Sequence, residues 1–339
     1  MIKVPEAGYK IIGLWISGLQ RSLRLSNILF PAKMIVSYLR AAFIVKQFRP
    51  HVAVGTGGYA SGPMMMAATR MGVPCIIQEQ NSFAGLANKQ VAGKARKVCV
   101  AYEGMDRYFP KEKLVITGNP VRKDILDAAA KRHKALEHFG FRPDSRTLLV
   151  IGGSLGARTI NESMLHGIEK LMDAQVQVIW QTGKTHYDTI RSQLNGRDLR
   201  RIRVYDFLKE MDLAYAAADV VISRAGALAV SELCVTGKAS ILVPSPNVAE
   251  DHQSKNAKAL VDRQAAVLVT DKDAGKVLVD EALSLLFDEQ RANRLSANIL
   301  RLAKPNATAH IVDEIEKLLN GSSQQPTKSD RQLTVMVMN

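Results

Sequence analysis

The sequence predicts an α/β protein of two units, each built on a parallel sheet. Three observations point there. Short apolar, β-branched runs alternate with helical stretches, the order that layers helices on parallel strands. With 339 residues, 47% of them hydrophobic, the chain has material for two cores of ordinary size. A polar helical stretch ending in a Pro-Asp turn, DILDAAAKRHKALEHFGFRPDSR (124–146), separates one α/β unit from a second. The expected domains are 1–123 and 124–318, the last helix of the second packing back on the first. The tail over 319–339 is polar enough to predict disorder.

In chain order, MIKVPEAGYKIIGLWISGLQR reads as loop, short strand and loop. A doubly wound domain usually opens with a buried strand, a glycine-rich turn and a helix. The N-terminal domain is therefore expected to be incomplete, without its opening β-α-β element. FPAKMIVSYLRAAFIVKQF (30–48) reads as a helix opened by Pro31. Lys33, Arg40 and Lys46 interrupt it, so it lacks the run of about 18 uncharged apolar residues that a membrane span needs. Either it is half-buried on a core, or its outer face rests on a membrane. In the second reading Ile28–Phe30, Tyr38 and Phe43 dip into lipid and the cations meet phosphates. Strands follow at 51–56, 74–79, 97–102 and 113–118, then at 147–153, 176–183, 202–207, 220–226, 239–245 and 265–271.

The formal charge is +14. In residues 1–50, eight Lys and Arg face one acid, Glu6, so the excess concentrates where a surface would meet an anionic partner. No basic run with interleaved aromatics appears, which disfavours nucleic acid. No secretory leader is visible. Cys75, Cys99 and Cys234 lie in apolar runs without metal-type spacing and read as buried, reduced thiols. No metal or cofactor is expected: the histidines lack ligand spacing, and Asp271 and Asp273 read as a strand end beside a helix cap.

Glycine-rich turns carry the chemistry. VGTGGYASGP (54–63) holds four glycines after a strand. It could cradle a phosphate, admit a nicotinamide, or simply turn the chain. LLVIGGSLGARTIN (148–161) runs from a strand through Gly152, Gly153, Ser154 and Gly156 into a helix. That context suits a diphosphate: glycines allow close approach, the helix N-terminus offers free N–H groups, and Ser154 can donate. It has neither Walker nor GxGxxG spacing. In SRAGALAVSEL (223–233), Glu232 could complement the helix dipole or accept two ribose hydroxyls. Gln253 and Asn256, in AEDHQSKNA, can read sugar hydroxyls. Arg122, in TGNPVR, could meet a diphosphate or form a surface ion pair. Glu79 and Asn81, in QEQNSFAGLANK, follow a strand at the carboxyl edge where open α/β sheets bind ligands.

Taken in order, GTGGYASGP, QEQNSFAGLANK, TGNPVR, GGSLGARTIN, SRAGALAVSEL and AEDHQSKNA resemble the MurG family over about residues 3–318. These N-acetylglucosaminyltransferases add the second sugar of the peptidoglycan precursor. The resemblance implies the GT-B fold, two Rossmann-like domains facing a cleft. It implies metal-independent, inverting transfer of N-acetylglucosamine from UDP-N-acetylglucosamine to undecaprenyl-diphosphate-N-acetylmuramyl-pentapeptide (lipid I to lipid II). It places the protein peripherally on the cytoplasmic face of the bacterial membrane. Carried onto this chain, Ser154 and Arg122 would contact the UDP diphosphate, with Gly152 and Gly153 shaping the loop. Leu208 would hold uracil through its backbone. Ala227, Leu228, Ala229, Val230, Ser231 and Glu232 would form the nucleotide pocket, Glu232 on the ribose. Gln253 would bind the transferred sugar, Asn256 would support its loop, and Asn81 would reach the donor sugar. Gly57 and Gly58 would face the acceptor diphosphate, with Tyr59 and Glu79 on the acceptor side.

The family opens with a Gly-Gly-Thr-Gly-Gly-His loop whose histidine is the expected catalytic group. The sequence has no such loop. The expectation is a chain lacking about 60 N-terminal residues, with a weakened sheet edge and unassigned catalysis. Two alternatives remain: a UDP-sugar-binding fragment without turnover, and another GT-B UDP-sugar enzyme such as an epimerase.

Overall fold

The computed structural model describes residues 3–6, 8–16, 29–153, 155–321 and 335–338. They form two compact units, Met1–Thr117 with Ala309–Asn339, and Gly118–Thr308.

In the first unit, strands β1 (Val52–Gly55), β2 (Cys75–Glu79), β3 (Lys97–Val100) and β4 (Leu114–Ile116) are joined by β11 (Val335–Met338). The order is β11-β1-β2-β3-β4, all parallel. Successive side chains on a strand point to opposite faces, so a sheet covered on both sides needs continuous apolar strands. Cys75 and Ile77 of β2, with Val98 and Val100 of β3, pack under the Phe30–Phe48 and Ser61–Arg70 helices. Ile76 and Cys99 face the other way, against Ile311, Ile315 and Leu318 of the Ala307–Gly321 helix.

The second unit contains β5 (Thr147–Ile151), β6 (Gln177–Gln181), β7 (Ile202–Tyr205), β8 (Val220–Ser223), β9 (Ala239–Leu242) and β10 (Val267–Leu268). Its order is β10-β9-β8-β5-β6-β7, all parallel. Leu148, Val150, Val178 and Trp180 build the core with Ile160 and Met164 from the Arg158–His166 helix and Leu278 and Ala282 from the Ala274–Phe287 helix. The chain runs outward from β5 to β7, then returns to β8 on the other side of β5. The point between β5 and β8 is thus a topological switch, and open α/β sheets take ligands outside the carboxyl ends of strands there.

The ten strands expected from residue 51 onward are present, trimmed at their ends. Three expectations are corrected. The amino end holds a short helix, Lys3–Glu6, and residues 8–16 form no strand. Tyr38 packs on the first unit's core, so the exposed face of its helix is carried by other residues. The tail expected to be disordered contributes β11, because the outer edge of β1 offers unpaired backbone groups to any extended segment. The three cysteines are buried, and loss of water pushes the thiols of Cys75, Cys99 and Cys234 up to about 12.

Candidate functional site

In the second unit, the turn after β5 is shaped by backbone crowding. Gly153 and Gly156 have φ of +86° and +82°, angles that favour glycine. A Cβ on Gly156 would sit 2.0 Å from the Thr182 carbonyl oxygen, and one on Gly183 would sit 2.1 Å from the Gly156 nitrogen. Two glycine turns therefore press backbone to backbone. Gln181 Nε2 donates to the Gly153 carbonyl at 3.0 Å, and its Oε1 accepts the Leu208 N–H at 3.0 Å. Leu208 is buried, with its N–H engaged by that bond. Asn161 braces the second turn: its Nδ2 donates to the Thr182 carbonyl, and its Oδ1 accepts from Trp180 Nε1. Ser154 lies outside the described residues.

Next to the switch point, the Ala227–Thr236 helix starts at Gly226 with no side-chain cap, which leaves its first N–H groups turned outward. Leu228 is exposed, whereas Val230 is buried in the core, so only its backbone faces the turn. Ser231 Oγ donates to the Ala227 carbonyl and accepts from Asn119 Nδ2, tying the turn before Arg122 to this helix. Glu232 Oε2 accepts from the Tyr215 hydroxyl at 3.0 Å. Burial raises the pKa of Glu232, while the Tyr215 hydrogen bond and the Arg122 charge oppose that rise. Tyr215 is fully buried, and desolvation with the Glu232 charge raises its own pKa well above the usual phenol range. Arg122, half-exposed, lies 3.5 Å from Asp124. Gln253 Oε1 accepts the Ser245 N–H at 2.9 Å, and buried Asn256 donates to the Ala225 carbonyl at 3.2 Å.

In the first unit, side chains shape the turn after β1. Gly57 and Gly58 have φ of +84° and +77°. Tyr59 is 60% exposed. Glu79 is buried at 2% exposure. Its Oε1 accepts from the Asn81 backbone N–H and Nδ2; its Oε2 accepts from the Gly85 N–H and Asn88 Nδ2, both at 2.9 Å. A carboxylate so occupied organises the 80–88 loop instead of meeting a substrate directly. Gln80 Nε2 donates to the Thr56 carbonyl at 2.7 Å, linking that loop to the glycine turn. Buried Asn88 has no partner for Oδ1. Sequence reasoning missed Asn88, Tyr215 and Asn161. The Asn88 signal was its position in QEQNSFAGLANK, nine residues after Glu79 on the helix that follows the loop.

A second feature of this unit is an apolar surface. Ile35, Val36, Leu39 and Phe43 of the Phe30–Phe48 helix are exposed, as are Trp15 and Tyr9. Lys33 Nζ lies 5.7 Å over the Trp15 ring, and Arg40 and Lys46 are also exposed. Among the described residues, no helix is long and apolar enough to cross a membrane.

Residues 2–100 match the glycosyltransferase family 28 N-terminal domain, and residues 147–319 match the family 28 C-terminal domain. The chain is 53% identical over 320 residues to the UDP-N-acetylglucosamine--N-acetylmuramyl-(pentapeptide) pyrophosphoryl-undecaprenol N-acetylglucosamine transferase of Cytophaga hutchinsonii, covering 94% of this chain and 86% of that protein. It is 51% identical over 320 residues to the Parabacteroides distasonis protein of the same description, covering 94% and 87%. Among solved structures, MurG of Acinetobacter baumannii aligns with a TM-score of 0.74 at 30% identity, covering 93% of this chain and 87% of that one. S. aureus MnaA, solved with UDP, aligns with a TM-score of 0.63 at 15% identity over 91% and 86%, a likeness of fold alone.

Proposed function

We propose how a chain that belongs to the MurG family of glycosyltransferases divides its reaction among the groups described above. It is a GT-B hexosyltransferase, and the family's reaction moves N-acetylglucosamine from UDP-N-acetylglucosamine to lipid I, giving lipid II in peptidoglycan synthesis. Relatives near 50% identity are transferases, which favours transfer over epimerisation.

The second unit binds the donor. Glu232 accepts from the ribose hydroxyls through Oε1, because Tyr215 holds Oε2. The open N–H groups of Ala227 to Ala229, the Gly152–Gly153 turn with Ser154, and the Arg122 guanidinium meet the diphosphate. The Leu208 carbonyl reads the base. Gln253 reaches the sugar on a helix that Asn256 anchors. Asn81 sits on the first-unit loop that Glu79 organises. The acceptor C4 hydroxyl attacks the anomeric carbon in line, the bond to the UDP oxygen breaks, the configuration inverts, and the hydroxyl proton passes to water. The leaving diphosphate gains charge, so the helix N-terminus and Arg122 help most in the transition state.

The first unit takes the acceptor, its diphosphate against the Gly57–Gly58 turn beside Tyr59. Its exposed apolar helix face, with Lys33, Arg40 and Lys46, suits peripheral docking on anionic lipid at the cytoplasmic face. Sedimentation with phosphatidylglycerol vesicles checks that, and retention by neutral vesicles alone would refute the electrostatic part.

One observation carries the donor assignment: a half-buried carboxylate, its pKa raised by loss of water, on the first turns of a helix with no side-chain cap at the sheet's switch point. Calorimetry with UDP tests it. If Glu232→Ala binds UDP as tightly as the wild type, the assignment is wrong.

A further inference from the structure

Asp271, at the end of the stretch following β10, is exposed over only 21% of its side chain, and its two oxygens face different partners. Oδ1 pairs with Arg224 Nη1 at 2.5 Å, and Oδ2 accepts from the Thr159 hydroxyl at 2.9 Å. The same Arg224 nitrogen donates to the carbonyls of Val243 and Pro244, at 3.0 and 3.1 Å. Arg224 follows β8, Val243 and Pro244 follow β9, Asp271 follows β10, and Thr159 stands in the first turn of the helix that follows the β5 glycine turn. These four strands are neighbours, in the order β10-β9-β8-β5. The cluster therefore joins the carboxyl ends of four adjacent strands behind the turns that carry Gly153, Ala227 and Gln253.

We propose that Asp271, acting through Arg224 and Thr159, is a positioning residue that fixes the donor-binding turns relative to one another. The inference rests on the donor reading of the second unit. An ion pair with this little solvent holds its geometry more firmly than an exposed one, and leaving Arg224 unpaired there is costly. The two carbonyls and the carboxylate gather around the one Arg224 Nη1 and share its two hydrogens. Thr159 ties the β5 side through a single hydroxyl-to-carboxylate hydrogen bond, without the ion pair that holds the β8 side, so this is the weaker arm. Neighbouring Asp273 does not share the role: its carboxylate pairs with exposed Thr270.

Hydrogen exchange, calorimetry and steady-state kinetics on the full chain test this. In hydrogen exchange without ligand, Asp271→Asn should raise exchange at the amides of both 153–157 and 226–229, with the β5 and β8 amides unchanged. In calorimetry, its UDP affinity should fall about ten-fold, and KM for the UDP-sugar should rise while KM for a lipid I analogue stays put. Thr159→Val should loosen 153–157 alone, Thr159→Ser should restore it, and Asp273→Asn should match the wild type. Unchanged exchange at both turns in Asp271→Asn overturns the inference, as does a uniform rise across the whole second unit. If Asp271→Asn does not fold, the Thr159→Val and Thr159→Ser pair decides. If the wild type fails to bind UDP while both turns still loosen, the donor reading falls and the positioning role stands.

Discussion

The glycine turns of the two units look alike in sequence and are held by different means. The turn after β5 is gripped by backbone: Gly156 and Gly183 approach so closely that neither tolerates a Cβ. The turn after β1 is gripped by side chains, through Gln80 on Thr56 and the Glu79–Asn88 pair behind it. A Cβ on Gly57 would meet nothing nearer than 3.6 Å. Close backbone approach gives a turn with one shape. Hydrogen-bonded side chains give one whose shape depends on a buried charge.

The largest expected effect is Gly183→Ala. Steric overlap adds to a φ of +80°, so destabilisation of about 3 kcal/mol and loss of UDP binding should follow, read by thermal unfolding and calorimetry. If the variant matches the wild type, backbone crowding is not what holds the β5 turn. Next is Glu79→Gln, which turns an amide NH2 toward groups that are themselves donors. About 2 kcal/mol should be lost, with faster exchange confined to the first unit's loop at 80–88. A global effect would refute local organisation.

Glu232→Gln should weaken UDP about ten-fold and leave stability at neutral pH unharmed. Burial raises the Glu232 pKa above its unfolded value, so the folded chain holds this proton more tightly. That stabilisation is fully present below the unfolded pKa and is lost as pH rises through the folded one. UDP affinity should fall in the opposite sense, as acidification begins to protonate the carboxylate above the usual glutamate range. In Glu232→Gln this dependence should vanish. Smallest is Gly57→Ala, where only the backbone angle is strained. A loss of about 1 kcal/mol is expected, against the much larger cost at Gly183 with nearly the same φ.

Sequence alone carried much of this. Strands β1, β2, β5, β6, β8 and β9 are short apolar runs buried along their length, and such runs stand out between helices. Glu232, Gln253 and Asn256 stand out in the sequence because they sit in local motifs on helices that follow strands. Tyr215 does not: it reaches Glu232 from 17 residues away, on a separate helix whose other residues are ordinary core. The Asp271–Arg224 pair spans 47 residues, and only the sheet order brings the two together. β11 was hidden for another reason. VMVM is an adequate strand sequence, yet nothing local marks it against its polar surroundings, and its pairing depends on an edge nearly 300 residues earlier.

The discontinuity of the first unit has a consequence for synthesis. Its backbone comes from both the early and the late parts of the chain, whereas the second unit is one uninterrupted stretch, Gly118–Thr308. On the ribosome, the later-encoded unit can close its sheet as soon as that stretch emerges. The earlier-encoded one must wait for the Ala307–Gly321 helix to cover Ile76 and Cys99. Domains usually mature from the amino end forward, and this chain is expected to reverse that order. In the interval the waiting strands show an apolar face to the cytosol, the window in which a chaperone would act.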